Sequence, residues 1–381
     1  MTFRSVLVYT DAVQYGGHEA MTLQGIQALA SVKDTAVSVM YYQGNAELAK
    51  RLEGLRDGAE NLRLLPMNFR PKRLQVLRSL VSPKAIRRIQ TVFKGVGPEV
   101  VLVSQGRIES GSVGLLAAKR AGLRTISYIP MAHPVSVSAG PAAARLRDAV
   151  NRYFYRLPDK FITISEGARR MLLESGASTD IAVVPNCIDR IDMHDTDRQK
   201  FRNKHMLLPD DYVVAVVGRI DFRQKGQDFA LRSILQFRGE LEHYKFLFIG
   251  EGPDEGKLRK MISVAGLEKR AFVLPWSPNK GEIYCGIDML LIPSKYEGVP
   301  LVMLEAMLCG VRIVASNVDG MAECLPADWL FPYGDARALA SALVRVRKQD
   351  ATKVLEEHRA LAAREYTRER FGTSFASEVL A

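Results

Sequence analysis

The chain has 381 residues, 47% hydrophobic and 25% charged with no low-complexity tract, a composition that suits two globular domains. No run of about 18 apolar residues occurs, which excludes a membrane-spanning helix, and the amino terminus lacks a signal peptide's apolar core. The expected location is therefore cytoplasmic, and the formal net charge of +11 points to an anionic partner.

In chain order, the first half alternates short apolar runs with helical patterns. "SVLVYT", "AVSVMYY", "VVLVSQG", "TISYIPM", "KFITIS" and "IAVVPN" read as strands, with helices predicted at 17–31, 45–57, 110–121, 142–155 and 166–175. This alternation predicts α/β architecture with a parallel sheet. Between Asn61 and Pro98 there is no acid, and Arg63, Arg70, Lys72, Arg73, Arg78, Lys84, Arg87, Arg88 and Lys94 are interleaved with apolar residues at helical spacing. Basic amphipathic helices over residues 63–94 suit an anionic membrane surface, and a solvated basic face is the ordinary alternative. No nucleic-acid motif or aromatic platform accompanies them, so nucleic acid is not expected as a partner.

Residues 190–210 are highly charged and poor in core residues, and are predicted either to link a first domain at 1–189 to a second at 211–360 or to begin that second domain. The pattern then restarts with "YVVAVVG", "YKFLFIG", "AFVLPW", "MLLIPS" and "VRIVAS" as strands. Helices are predicted near 227–238, 254–265, 280–284 and 301–309, and the amphipathic segment 361–381 is expected to pack back towards the first domain. The predicted fold is two tandem Rossmann-like doubly wound domains facing across a cleft, with ligands at the carboxyl ends of the strands. Cys187, Cys285, Cys309 and Cys324 show no C-x-x-C and no metal-ligand spacing, and read as reduced, mostly buried thiols.

The chemistry gathers at those strand ends. Gly218 ends a strand, and Arg219 and Lys225 follow on its loop, spaced either to straddle a diphosphate or to form surface salt bridges. Gly250 opens a second Gly-rich loop, which suits close approach of a ligand or a simple tight turn. Trp276 either presents its ring to a nucleobase or lies in the core. In "SKYEGVPLVMLEAMLCG", Pro300 fits the first helical position, and the amides of Val299, Leu301 and Val302 point at an anion site beside Gly298 and Glu297. Glu305 sits in the second turn of a helix that is apolar all round. A buried carboxylate needs donors, either a protein cation or a ligand's hydroxyl pair, and a ribose diol matches one carboxylate well.

Glu297 and Glu305, with seven residues between them, resemble the E-x7-E signature of retaining glycosyltransferases of family 4, which have the GT-B fold. "GRIDFRQKG", "VVPNCID", "YGGHE" and "NVDGMAE" resemble further elements of that family in the correct order, with Cys187 where Gly is usual and one glycine of the last loop absent. The resemblance implies a nucleotide-diphosphate sugar donor bound mainly by the second domain and an acceptor held by the first. Arg219 and Lys225 would neutralise the diphosphate, Glu297 would contact the sugar hydroxyls and Glu305 the ribose. Gly16 and Gly17 would let the first loop approach the diphosphate, and His133 would lie near donor sugar and acceptor.

With two cations and no D-x-D motif in a strand context, no divalent metal or other cofactor is expected. The expected acceptor is a glycan or a lipid-linked precursor of cell-surface polysaccharide or lipopolysaccharide, reached at the inner face of the membrane. A sugar-nucleotide epimerase, a phosphorylase on the same fold, or a non-catalytic two-domain sugar-binding protein are the alternatives. A dinucleotide-dependent dehydrogenase is disfavoured because "TDAVQYGGHEA" is not G-x-G-x-x-G.

Overall fold

A computed structural model describes residues 4–69, 75–80, 82–135 and 141–381. The chain forms two compact units, Met1–Cys187 with Arg368–Ala381, and Ile188–Thr367.

The first unit is built on a parallel sheet of seven strands in the order β3-β2-β1-β4-β5-β6-β7. They are β1 (Arg4–Thr10), β2 (Thr35–Tyr42), β3 (Leu62–Met67), β4 (Val100–Ser104), β5 (Arg124–Tyr128), β6 (Lys160–Thr163) and β7 (Asp180–Val183). Val8 sits between Val39 and Leu102, and helices cover both faces, so the central strands read as continuous apolar runs. Strand order reverses between β1 and β4, the switch point at which such sheets hold ligands.

β3, "LRLLPM", is a strand that the hydrophobic pattern does not predict. It lies at the sheet edge, where Pro66 and an exposed Arg63 are tolerated and blunt further pairing. The helix Pro83–Val96 is amphipathic as expected, but Ile86, Ile89 and Phe93 are buried in the domain's own core. Its apolar stripe is therefore occupied, and Lys84, Arg87, Arg88 and Lys94 form the exposed face. Arg70, Lys72 and Arg73 lie outside the described residues.

The carboxyl-terminal helix Arg368–Leu380 packs on the helix Gly17–Ala30 of the same unit. Gly25 is required there, because a Cβ would overlap the ring of Phe375. Phe375 also stacks on Phe371 and meets the edge of Tyr128, with centroids 5.2 and 5.1 Å away.

The second unit carries a six-stranded parallel sheet in the order β10-β9-β8-β11-β12-β13. Its strands are β8 (Tyr212–Val217), β9 (Tyr244–Ile249), β10 (Ala271–Leu274), β11 (Met289–Ile292), β12 (Arg312–Ser316) and β13 (Leu330–Phe331). Most of the segment 190–210, expected to be a linker or the start of the second domain, is the latter: it is folded against this unit through the helix Asp195–Lys204. Charge misleads here because Arg202, only 2% exposed, donates to the carbonyls of Gly286, Leu208, Pro209 and Asp211 and to Asp288. Buried and fully engaged, that cation does the work of a core residue. All four cysteines are free, and among the described residues no helix is long and apolar enough to cross a membrane.

Candidate active site

The helix Leu301–Cys309 follows β11 through the turn 293–300. Pro300 is its N-cap, extended at φ −64° and ψ 131°, one position earlier than the sequence suggests. Met303 and Leu304 bond back to the Pro300 carbonyl, and the amides of Leu301 and Val302 take no partner among the described residues. With no capping side chain, these N–H groups and the helix dipole leave the helix amino end electropositive, the kind of place where anions bind. Gly310, at φ 66°, closes the helix in the left-handed region.

Glu297 stands beside that site and is 5% exposed. Lys225 Nζ lies 2.5 Å from its Oε1, and the Ser294 hydroxyl donates to the same oxygen at 2.8 Å. Its Oε2 takes no hydrogen bond from the described residues, so one face of a nearly buried carboxylate is left for another donor. Its own backbone N–H donates to Asp319 Oδ2 at 2.7 Å. Arg219, on the same loop as Lys225, pairs with Asp221 at 3.1 Å and Gln224 at 3.3 Å, its side chain 44% exposed.

That loop is rigidly held. Ile220 N–H donates to the Glu251 carbonyl, Phe222 N–H to Asp254, and Lys295 N–H to the Gln224 carbonyl. Gly250, expected to admit a ligand, instead admits the neighbouring loop: a Cβ there would overlap the Gly218 carbonyl oxygen. Both residues have positive φ, 133° at Gly218 and 145° at Gly250. Their small size serves the packing of two strand ends, and that packing aims Arg219 and Lys225.

Of the two kinds of donor open to Glu305, the structure shows the protein one. Glu305 is 3% exposed, as a helix apolar all round implies, and both its oxygens are already engaged by the protein. Lys280 Nζ lies 2.6 Å from Oε1, and the Tyr284 hydroxyl donates to Oε2 at 2.7 Å. The carboxylate therefore persists in apolar surroundings without a visiting diol. Two of its roughly four lone-pair sites remain, so an added ribose contact does not require the pair to break. Lys280 and Tyr284 are four apart on one helix, Lys280–Gly286, and so share a face. That spacing in "NKGEIYCGID" was the signal that sequence reading passed over.

In the first unit Gly16 is the N-cap of the helix Gly17–Ala30, extended and exposed, with only Glu19 near the position of a Cβ. His18, the second residue of that helix, joins a ring of hydrogen bonds. Thr22 Oγ1 donates to the His18 carbonyl at 2.9 Å, so its single proton is committed. Ser104 must then donate to Thr22, at 2.7 Å, and accept from His18 Nε2, at 2.9 Å. This network assigns the Nε2–H tautomer. Burial pushes the ring down to about 4, so it stays neutral near pH 7.

Deeper at the same sheet edge, Asp11 is 2% exposed and takes its donors from Gln75 Nε2, at 2.6 Å, and the Gly111 N–H, at 3.0 Å. Burial pushes its carboxyl up to about 6 against those hydrogen bonds. His133 is half-buried in the loop beyond β5. Of the two tryptophans, Trp329 is the core residue, and Trp276 is 44% exposed beyond β10. Among the described residues no group of three His, Cys, Asp or Glu side chains is placed to hold a metal ion.

Residues 16–187 match the family model described as a glycosyl transferase 4-like domain, and residues 211–349 match glycosyl transferases group 1. The chain belongs to the group 1 glycosyltransferases. It is 28% identical over 240 residues to the 2-deoxystreptamine glucosyltransferase of Streptomyces kanamyceticus, 60% of this chain and 61% of that protein. The phosphatidylinositol N-acetylglucosaminyltransferase GPI3 subunit of Saccharomyces cerevisiae is 30% identical over 172 residues, 44% of this chain and 38% of that protein. The matches thus cover less than two thirds of either relative's length. Anabaena HepE, solved in complex with UDP and glucose, matches with a TM-score of 0.78 over 99% of both chains at 16% identity. The fold is GT-B.

For this group 1 glycosyltransferase, Arg219, Lys225, Glu297 and the amino end of Leu301–Cys309 all belong to one sheet edge in the second unit. Gly16, Gly17 and His133 belong to the first. Sequence reading missed Lys280, Tyr284, Asp319, Asp11 and the His18–Ser104–Thr22 ring. Each is an ordinary polar residue until a long-range hydrogen bond gives it a partner.

Proposed function

We propose that the protein transfers a sugar from a nucleotide-diphosphate donor to a glycan or lipid-linked acceptor, with retention at the anomeric carbon. The observation that carries this reading is the half-satisfied Glu297: a nearly buried acid whose Oε1 is bound by Lys225 and whose Oε2 has no donor among the described residues. A sugar hydroxyl suits that oxygen, and the diphosphate suits the adjacent cations and the amides of Leu301 and Val302.

Loosening the C1–O bond puts negative charge on the departing diphosphate. Lys225, Arg219 and those amides are fixed before the reaction, so they stabilise the developing charge with little reorganisation. The proton of the attacking hydroxyl passes to the departing phosphate on the same face, which preserves configuration. Glu305, held by Lys280 and Tyr284, would receive the ribose through its remaining lone pairs; this assignment rests on the motif resemblance. No divalent metal takes part in the reading.

The experiment is product analysis with a panel of sugar nucleotides. Release of nucleoside diphosphate, coupled to a new glycosidic bond of the donor's configuration and undiminished by EDTA, is the expected result. Isomerised donor, phosphorolysis or activity restored only by a divalent ion contradicts it.

The acceptor is read as a component of cell-surface polysaccharide or lipopolysaccharide synthesis, met at an anionic membrane from the cytoplasmic side. Exposed Lys84, Arg87, Arg88 and Lys94 support that reading, as does a relative named for phosphatidylinositol. Because the apolar stripe of that helix is buried in the core, adsorption is electrostatic and not insertional. Co-sedimentation with phosphatidylserine vesicles at low salt, lost at high salt, is expected. No binding at low salt overturns it.

A further inference from the structure

Glu297 is fixed at both ends. Lys225 and Ser294 hold its carboxylate, and Asp319 holds its backbone N–H at 2.7 Å. Asp319 reaches that position through an unusual backbone: its φ is 49°, one of three positive values at non-glycine residues among those described. In this region an L side chain is strained, although Asp and Asn tolerate it best. Glycine would adopt the same turn without strain, and this is the loop in which a usual glycine of the family is absent. The neighbouring Gly320 is pressed against the turn that carries Glu297, since a Cβ there would lie 2.7 Å from the Gly298 carbonyl oxygen and 2.6 Å from Val299 Cγ2. The loop after β12 is thus seated on Glu297–Val299, and it carries a carboxylate where backbone comfort favours none.

We propose that Asp319 is a positioning residue for transfer. Its strained backbone delivers a carboxylate that fixes the Glu297 peptide, so that Glu297 Oε2 faces the donor sugar before it arrives. Strain retained beside a functional group is what such a role requires. The inference rests on the proposed reading of Glu297 as a donor-sugar contact. It gives Asp319 no contact with the reacting atoms.

Two variants separate the carboxylate from the turn. Asp319→Asn keeps an acceptor oxygen and tolerates the backbone; Asp319→Gly keeps only the backbone. We expect Asp319→Asn to transfer within about threefold of wild type and Asp319→Gly to lose about tenfold or more in kcat, the scale of a misplaced contact. Thermal stabilisation by the free nucleoside diphosphate, which lacks the sugar, should be unchanged in both. Hydrogen exchange at the Glu297 amide provides a readout that needs no ligand: protected in wild type and Asp319→Asn, and faster by about tenfold or more in Asp319→Gly.

Full transfer by Asp319→Gly while Glu297→Gln is impaired overturns the positioning role and leaves the donor site standing. Full transfer by Glu297→Gln overturns the donor-site reading itself. An unprotected Glu297 amide in wild type overturns the role of Asp319 whatever the variants do. If no sugar nucleotide in the panel is turned over, the donor-site reading falls, and amide exchange alone decides whether Asp319 fixes the turn.

Discussion

The two sheets bury acids at their carboxyl edges by different means. In the second unit Glu297 and Glu305 each have a lysine ammonium within hydrogen-bonding distance, Lys225 at 2.5 Å and Lys280 at 2.6 Å. In the first, Asp11 is as deeply buried but receives its hydrogen bonds from neutral groups, the Gln75 amide and the Gly111 N–H. A neighbouring cation offsets the desolvation of a carboxylate by direct attraction, whereas neutral donors do so only in part. Hence Asp11 is pushed up to about 6, against an ordinary value of 3.8. The difference separates an edge whose buried acids are paired with cations from one whose buried acid responds to pH.

Lys225→Ala breaks the charged side of this comparison most severely. Loss of a preorganised cation at a developing diphosphate should lower kcat by about 10²–10³, measured as nucleoside diphosphate release. A change under tenfold would mean that Lys225 only neutralises Glu297.

The neutral side is tested by Asp11→Asn. Because the folded carboxyl titrates at about 6 and the ordinary value is 3.8, the folded state binds the proton more tightly than the unfolded chain. Its contribution to stability is present below the ordinary value and is lost as pH rises to about 6. Removing the charge should therefore raise stability at pH 8 by up to about 3 kcal/mol, at roughly 1.4 kcal/mol per unit, with the advantage gone below about pH 4. Urea unfolding across that range reads the effect. A pH-independent difference would show that packing, not charge, is at work. His18 acts with the opposite sign: its ring is pushed down to about 4, so its stabilisation is lost as pH falls below the ordinary 6.5.

Lys280→Met is the finer probe. It leaves Glu305 with the Tyr284 hydroxyl alone, which should cost about 2 kcal/mol, less than a fully buried pair because the Lys280 side chain is 30% exposed. Nucleotide affinity should fall with it if Glu305 carries the ribose, while Glu305→Ala should weaken nucleotide binding more than it lowers the melting temperature. Unchanged affinity in both variants would leave Glu305 a structural ion pair.

Much of this was legible in the sequence, for physical reasons. Runs such as "YVVAVVG" and "MLLIPS" are buried on both faces, and local apolarity alone marks them as strands. The loop cations and Glu297 follow directly from the ends of those strands. What was hidden depends on partners far along the chain. β3 exists because β2 offers it an edge, and the helix Asp195–Lys204 exists because Gly286 and Asp288 bury Arg202. Glu305 is the instructive case: the need for a donor is legible, but the choice between a protein cation and a ligand diol is not, because Lys280 and Tyr284 lie 25 and 21 residues away, beyond any local pattern.

The central claim is that Arg219, Lys225 and Glu297 together receive a diphosphate-linked sugar. It is tested most directly by thermal unfolding of wild type and Lys225→Ala against UDP-glucose, UDP-N-acetylglucosamine, GDP-mannose and ADP-glucose. One of these, at 100-fold its Kd, should stabilise the wild type by about 2.7 kcal/mol and the variant far less. Equal stabilisation of both proteins, or none of the wild type by any of the four, would contradict it.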